Sequence, residues 1–424
     1  MGACFLFDWS DSEPIATPKS AAIRGDPALF VNDDVMTTAR TIYFDYNATT
    51  PLDPAVREAM LPFLGEMFGN PSSVHHVGRK ARAILDDARD RVAKVWRSKP
   101  SEVVFTSGGT ESSNLAIFGA ARALREKGRH LITSTIEHHA VLHCIEYLEK
   151  KEGFEATYLP VDSEGLISPD DLRKAIRPDT ILASIMAANN ETGTIEPISE
   201  LGAICHERGV LFHSDAVQWF GKEPFTDIHQ FNADFVSLCA HKFHGPKGAG
   251  ALFIRSPLHP DPILFGGSHE NERRAGTENV AAIVGLAEAA ERFVKEPVFP
   301  EKQLRALVGD LISFADSLRG VHIRGSKTRR LANTVALTVD GCDSISLLAG
   351  LDMEGICASS GSACSAGSLE PSHVMTALGV DENSANSLVR FSLGRDSTAE
   401  EVEQVKASLQ IVINRVRGGR IAGE

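Results

Sequence analysis

The chain has 424 residues, too many for one hydrophobic core, so two or more structural domains are expected. Its 43% hydrophobic and 23% charged residues fit a soluble globular protein, and no apolar run reaches the roughly 20 residues that a membrane span needs. A formal net charge of −13 argues against a nucleic-acid partner, which demands a basic face.

Residues 1–40 begin Met-Gly-Ala-Cys-Phe-Leu and soon turn polar. They lack the basic start and long apolar core of a secretory signal, the basic richness of a transit peptide, and the sixth-position Ser or Thr of a myristoylation signal. They read as a disordered or loosely attached extension, with Met36 as a candidate start. From Thr41 onward, strand-like and helix-like segments alternate. Glu102–Thr106 is a β-branched run, followed by helical spacing over Asn114–Lys127. His130–Ser134 reads as a strand, Ala140–Lys151 as a helix and Phe154–Pro160 as a strand. Ile181–Ala187, Val210–His213, Phe235–Leu238 and Gly250–Ile254 complete seven apolar strands. Such alternation predicts an α/β fold whose large domain holds a mostly parallel sheet buried on both faces. After about Pro300 the pattern changes to helix Glu301–Leu318, strands Val321–Arg324 and Asn333–Val339, a further helix, strand Leu388–Ser392, and a last helix from Thr398 to about Val416. This predicts a smaller α+β domain. The expected boundaries are an extension at 1–40, an N-terminal arm at 41–57 joining the small domain, a large domain at 58–298 and a small domain at 299–424.

The seven cysteines, Cys4, Cys144, Cys205, Cys239, Cys342, Cys357 and Cys364, are odd in number and form no CxxC pair. That points to free thiols in a reducing, cytoplasmic compartment, and to neither a disulfide framework nor a metal site. The default for each is a small buried side chain.

Three segments carry chemistry. In Phe105-Thr106-Ser107-Gly108-Gly109-Thr110-Glu111-Ser112, between a strand and a helix, glycines let backbone N–H groups approach an anion at a helix start. A capped turn is the plain alternative, and no Walker lysine follows. In Phe212-His213-Ser214-Asp215-Ala216-Val217-Gln218, the acid lies at a strand end, where open α/β sheets bind ligands. Asp215 can hold a cationic ring nitrogen or merely cap a helix. In Ser237-Leu238-Cys239-Ala240-His241-Lys242-Phe243-His244-Gly245-Pro246-Lys247, Lys242 directly follows a buried run, whereas Lys247 lies in a Gly/Pro-rich turn. Lys242 is therefore the better candidate for an imine with an aldehyde cofactor. A phosphate cradle, a ring-nitrogen acid and a lysine, in that order, follow the anchoring groups of fold type I pyridoxal 5'-phosphate (PLP) enzymes.

With these motifs, and with Asn189-Asn190-Glu191-Thr192-Gly193, Arg274-Ala275-Gly276-Thr277-Glu278-Asn279 and Arg390-Phe391-Ser392-Leu393-Gly394-Arg395, the chain resembles the NifS/IscS-type cysteine desulfurases of the class V aminotransferase-like group. The resemblance runs from about Tyr43 to the final helix. The loop Ser359-Ser360-Gly361-Ser362-Ala363-Cys364 is similar to the subgroup with a long cysteine loop. The resemblance implies that Gly109, Thr110 and His241 hold the PLP phosphate, with Thr277 donated by a partner subunit of a homodimer. It implies that Asp215 meets the pyridinium nitrogen, that Gln218 contacts the ring hydroxyl and that Asn190 lies in the same pocket. His138 would stack on the ring and assist proton transfer, Arg390 would clamp the substrate carboxylate, and Asn47 is a second candidate for that carboxylate. Lys242 would carry the imine and Cys364 would accept sulfur from L-cysteine as a persulfide, releasing alanine. Cys239 departs from the pattern, since the family more often has Ser there, and a thiol is a poorer donor to the phosphate.

Three other readings remain at this stage: a selenocysteine lyase on the same scaffold, an aminotransferase, and a non-catalytic sulfur carrier or scaffold. The last is disfavoured by Lys242, Asp215 and Arg390 together. The acceptor of the sulfur stays open between an iron–sulfur scaffold, a tRNA-thiolation relay and a nitrogenase-specific system, and the weakly basic end Val412–Arg420 is either a docking segment for an acidic partner or a solvated helix end.

Overall fold

A computed structural model describes residues 41–361 and 371–421. The expectations for residues 1–40, including Met36, and for Cys364 lie outside the described residues. Twelve strands are named here in chain order. The first, β1 (Ile42–Tyr43), is followed by β2 (Val103–Thr106), β3 (His130–Ser134), β4 (Glu155–Leu159), β5 (Thr180–Ser184), β6 (Leu211–Asp215), β7 (Phe235–Cys239) and β8 (Gly250–Ile254). Then come β9 (Val321–Arg324), β10 (Thr334–Val339), β11 (Ile356–Cys357) and β12 (Val389–Ser392).

Strands β2 to β8 form the seven-stranded sheet that the sequence predicts, in the order β2-β8-β7-β6-β5-β3-β4. The pairs β3/β4, β3/β5, β5/β6 and β6/β7 are parallel, while β8 runs antiparallel to both neighbours. Strands β2, β3, β5, β7 and β8 are buried at every residue, as continuous apolar runs covered on both faces should be. Only the edge strand β4 is largely open. One face packs on helices that include His76–Trp96, Ile198–Glu207 and Val280–Phe293, and the other on Gly109–Leu124 and His139–Glu152.

A second core gathers around the antiparallel sheet β12-β10-β9 and helices Glu301–Ser317, Ser344–Met353 and Ala399–Ile421. Ile42, Phe44 and Tyr46 pack into this core rather than the first. Strand β1 pairs with β11, and the chain then runs beside β12, with Tyr46 N–H donating to Ser392 O at 3.0 Å and Ser392 N–H to Phe44 O at 2.7 Å. This pairing delivers Asn47 to the edge of the large sheet.

Two element boundaries differ from expectation for a physical reason. The helix expected from Asn114 begins at Gly109. Glycine is tolerated there because the first-turn N–H groups have no intrahelical partner to lose. The strand expected over Ile181–Ala187 ends at Ser184, although Ile185 and Ala187 still donate to His213 O and Asp215 O at 3.0 and 2.8 Å. Among the described residues no helix is long and apolar enough to cross a membrane.

The arm is held against the segment after β12 by a close approach at Gly394. A Cβ there would lie 2.2 Å from Cε1 and Cζ of the Tyr46 ring. Gly394→Ala should therefore destabilise the protein by about 1–3 kcal/mol, the usual range for overpacking. Thermal melting measures this, and an unchanged Tm would remove the claim that the arm packs tightly here.

Candidate active site

The C-terminal ends of β2, β3, β5, β6 and β7 share one edge of the large sheet, because β8 reverses direction twice and leaves β2 parallel to β7. A cavity of about 240 Å³ opens at this edge, where open α/β sheets bind their ligands. Gly109 and Thr110 line it from the turn after β2, His138 from the turn after β3, and Asn190 from the loop after β5. Asp215 and Gln218 follow from β6, and Cys239, His241 and Lys242 from β7. Asn47 enters from the arm and Arg390 from β12. Thr277 is exposed and does not line this cavity.

Lys242 Nζ donates to the backbone carbonyls of Asn47 and Ala48 at 2.7 and 2.8 Å. Burial pushes its ammonium down to about 8, with Arg390 acting the same way against Cys239, Asp45 and Asp215. An amine that loses its proton near pH 8 is a usable nucleophile close to neutrality. Asp215 is buried, and burial raises its carboxyl to about 6, opposed by the Val217 N–H and by Lys242. Its Oδ1 accepts from Val217 N–H at 3.0 Å, so the carboxylate also caps the following turn. Among the described residues no ion pair satisfies it.

His138 caps the helix His139–Glu152, its Nδ1 accepting from Ala140 N–H at 3.1 Å. Burial, with Lys242 and the imidazoles of His139, His373 and His143, lowers it to about 4. The ring is therefore neutral near pH 7, and with Nδ1 accepting, its proton sits on Nε2. His241 is also pushed to about 4, by burial and then Lys242 and Lys247. Its Nδ1 lies 3.1 Å from Thr49 Oγ1.

Arg390, 1% exposed, donates from Nη1 to Asn190 O and Gly361 O, both at 2.8 Å, and from Nη2 to Asp45 Oδ1 at 2.7 Å. Its Nε has no partner among the described residues. Gly361 immediately precedes the segment that holds Cys364. Gly109 packs closely on the wall, since a Cβ there would lie 2.6 Å from Val217 Cγ2 and could enter only if that side chain shifted. The next turn is braced from another motif, with Arg274 Nε donating to Glu111 Oε1 at 2.7 Å and Ser107 N–H to Glu111 Oε2 at 2.8 Å. Burial works to raise the Glu111 carboxyl, but these donors hold it below its ordinary value.

Sequence reasoning missed three groups, the half-buried Asp45 and the buried Glu137 and Lys222. Asp45 completes Arg390, Glu137 lies beneath His138 with its carboxyl raised to about 8 by burial, and Lys222 reaches under the cavity to Asn47 and Gln218. The alternation of Tyr43-Phe44-Asp45-Tyr46-Asn47 carried a signal for Asp45. For Lys222 the signal was a lysine set among Trp219, Phe220 and Phe225.

Residues 42–405 match the family described as Aminotransferase class-V. The chain is 48% identical over 379 residues to a protein named Cysteine desulfurase IscS of Dictyoglomus turgidum, covering 89% of this chain and 96% of that one. It is 48% identical over 385 residues to a protein of the same name from Methanosarcina thermophila, covering 91% and 95%. A solved structure titled NifS-like protein superposes with a TM-score of 0.81 at 38% identity, covering 89% of this chain and 99% of that one. The chain thus belongs to the class V aminotransferase family, and its fold agrees with that. Within that group the chain belongs to the NifS/IscS-type cysteine desulfurases.

That family is PLP-dependent, and the residues present here fit the cofactor. Among the described residues, a half-buried amine without a bound carboxylate, a buried carboxylate without a cation, and backbone N–H groups at the start of the helix Gly109–Leu124 are the groups an aldehyde, a pyridinium and a phosphate require. Two outcomes follow. The rate at which PLP loads onto the cofactor-free protein should rise with pH and level off above about 8, as Lys242 loses its proton. A rate that is flat from pH 6.5 to 9 in stopped-flow absorbance would show that the amine is not so perturbed. Cys239→Ser should bind PLP more tightly, by about fivefold for one restored hydrogen bond near 1 kcal/mol. Equal affinities in equilibrium titration would count against the thiol as a weak point.

Proposed function

We propose that the protein is a PLP-dependent cysteine desulfurase, which converts L-cysteine to L-alanine and leaves the sulfur as a persulfide on Cys364. The observation that carries this reading is one cavity joining a half-buried amine, a buried acid with no ion-pair partner among the described residues and a buried guanidinium, Lys242, Asp215 and Arg390. In it, Lys242 would hold the aldehyde carbon of PLP, Asp215 its ring nitrogen and Gln218 its ring hydroxyl, with Asn190 and Cys239 in the surrounding wall. Gly109, Thr110 and His241 would hold its phosphate, together with Thr277 of the partner subunit. When bound, PLP supplies an electron sink for the pair left on the substrate α-carbon.

Arg390 binds the substrate carboxylate, a task suited to its planar fork, with Asn47 beside it. Lys242 Nζ would take up the substrate α-proton. An acidity shifted to about 8 lets the same atom take and return a proton. His138, with its proton on Nε2, stacks on the ring and acts as a donor while Lys242 acts as the base. The Cys364 thiolate then bonds to the substrate sulfur. The carbon–sulfur bond breaks, its electron pair passes to the β-carbon, and a proton completes the alanine methyl group. The persulfide is then passed to an acceptor, an iron–sulfur scaffold or a tRNA-thiolation relay.

We also take the working unit to be a homodimer. Leu61, Leu64, Phe68, Val74 and Phe265 are exposed apolar side chains, and Thr277 is presented outward. The domain boundaries that go with this reading are an arm at 41–57, a PLP-binding domain at 58–298 and a small domain at 299–424 bearing Cys364.

Cys364→Ala should abolish persulfide formation from labelled cysteine while leaving the yellow PLP chromophore intact. Retained desulfuration of cysteine in that variant would refute the assignment of Cys364 as acceptor, and a colourless wild-type protein that PLP cannot colour would refute the enzyme reading itself.

A further inference from the structure

Lys222 has no place in the steps above, yet it is 3% exposed and lies directly beneath the cavity. Gly221, at φ +77°, directs the chain there, and a Cβ on it would lie 2.4 Å from Phe243 Cβ. Lys222 Nζ donates to Asn47 Oδ1 at 2.6 Å and to Gln218 Oε1 at 2.5 Å, and it stands 5.3 Å from the centre of the Phe299 ring. Among the described residues no carboxylate pairs with it. Burial drives its ammonium well below the ordinary lysine value, Lys242 and Arg390 add to that, and Glu223 opposes it.

Both partners of Lys222 are side-chain amides of the cavity wall. Nζ spends its N–H donors on the two amide oxygens, so each amide turns its oxygen toward Nζ and its NH₂ group away. Asn47 Nδ2 accordingly donates to Thr334 Oγ1 at 2.9 Å and to Asn190 O at 3.3 Å, and Asn47 Oδ1 takes a second hydrogen bond from Asn333 Nδ2 at 3.0 Å. Gln218 Nε2 donates to Asn47 O at 3.0 Å, the same carbonyl that accepts from Lys242 Nζ. Gln218 is thus held with its oxygen down and its N–H donors up. We propose that Lys222 is a positioning residue that fixes the Gln218 amide so that it offers an N–H, and not a carbonyl, to the ring oxygen of PLP. This rests on the reading of Gln218 as the contact of the ring hydroxyl.

The consequence has a sign. A donor on the ring oxygen stabilises its anionic form and makes the neighbouring nitrogen, the one Lys242 contributes, a weaker base. Loss of the donor raises the pH at which that nitrogen gives up its proton. The test compares holoprotein of the wild type, Lys222→Met, Gln218→Leu and the double variant, by PLP affinity and by the pH midpoint of the visible absorbance. Lys222→Met should bind PLP about tenfold more weakly and move the midpoint up by about one unit, as expected for one lost hydrogen bond to a charged acceptor. In the Gln218→Leu background the same change should have no further effect, because the two act as a unit. Additive effects, or a Lys222→Met protein unchanged in both readouts while Gln218→Leu changes both, overturn the proposal. A Gln218→Leu protein unchanged in both overturns instead the reading of Gln218 on which it rests. If the melting curve shows Lys222→Met unfolded, Lys222→Gln takes its place with the same expected outcomes.

Discussion

The backbone and side chain of Asn47 tie the site together. Its carbonyl accepts from Lys242 Nζ and Gln218 Nε2, its Oδ1 from Lys222 and Asn333, and its Nδ2 donates to Thr334 and Asn190. Those six partners come from the large sheet's edge and from β10 of the second sheet. Asn47 reaches them because Phe44 and Tyr46 are packed in the second core and the arm is hydrogen-bonded beside β12. A polar residue 1% exposed is tolerated only when its groups are satisfied, and here satisfying them also sets the positions of two lysines and a glutamine.

Electrostatic tension follows from the same arrangement. Lys242, Lys222 and Arg390 converge on a volume in which Asp45 is the acid that directly binds one of them. His138, His241 and the nearby His244 are all pushed down to about 4, so they add no charge near pH 7. Buried cations with carbonyl partners in place of carboxylates are expensive. The cavity therefore gains from anions, and the phosphate and substrate carboxylate of the proposed reaction are both anions. Asp215 supplies the opposite need at the other wall, since a carboxylate whose ionised form burial disfavours, raising it to about 6, is stabilised beside a cationic ring.

Much of this was legible in the sequence because the strands of a sheet covered on both faces are continuous apolar runs, and the chemistry sits where those runs stop. Asp215 ends β6, and His241 and Lys242 follow Cys239 at the end of β7. The Gly108-Gly109 pair marks the close backbone approach after β2. Lys222 and Asp45 were hidden because their roles exist only through contacts distant in sequence, Lys222 and Asn47 being 175 positions apart and Asp45 and Arg390 345 apart. Periodicity records which face a residue turns to the core. It does not record which side chain from elsewhere meets it there, so a buried lysine in an apolar stretch looks the same as a surface one at a turn.

Cys239 illustrates how such a network absorbs a departure from a family's pattern. The residue ends β7 beside Gly109, 4% exposed, and burial raises its thiol above the ordinary value, so it is a neutral thiol near pH 7. A neutral thiol donates weakly, yet it fills this position without adding charge and without displacing the glycine backbone it touches. In the proposed PLP site the load of holding the phosphate would then rest more heavily on backbone N–H groups at the helix start, where Arg274 pairs with Glu111. Backbone donors are independent of side-chain identity, so a substitution at the strand end weakens the cradle without dismantling it. The same reasoning separates Cys239 from Lys222. The first would be one contributor among several to a single anion, whereas the second is the shared anchor of two amides.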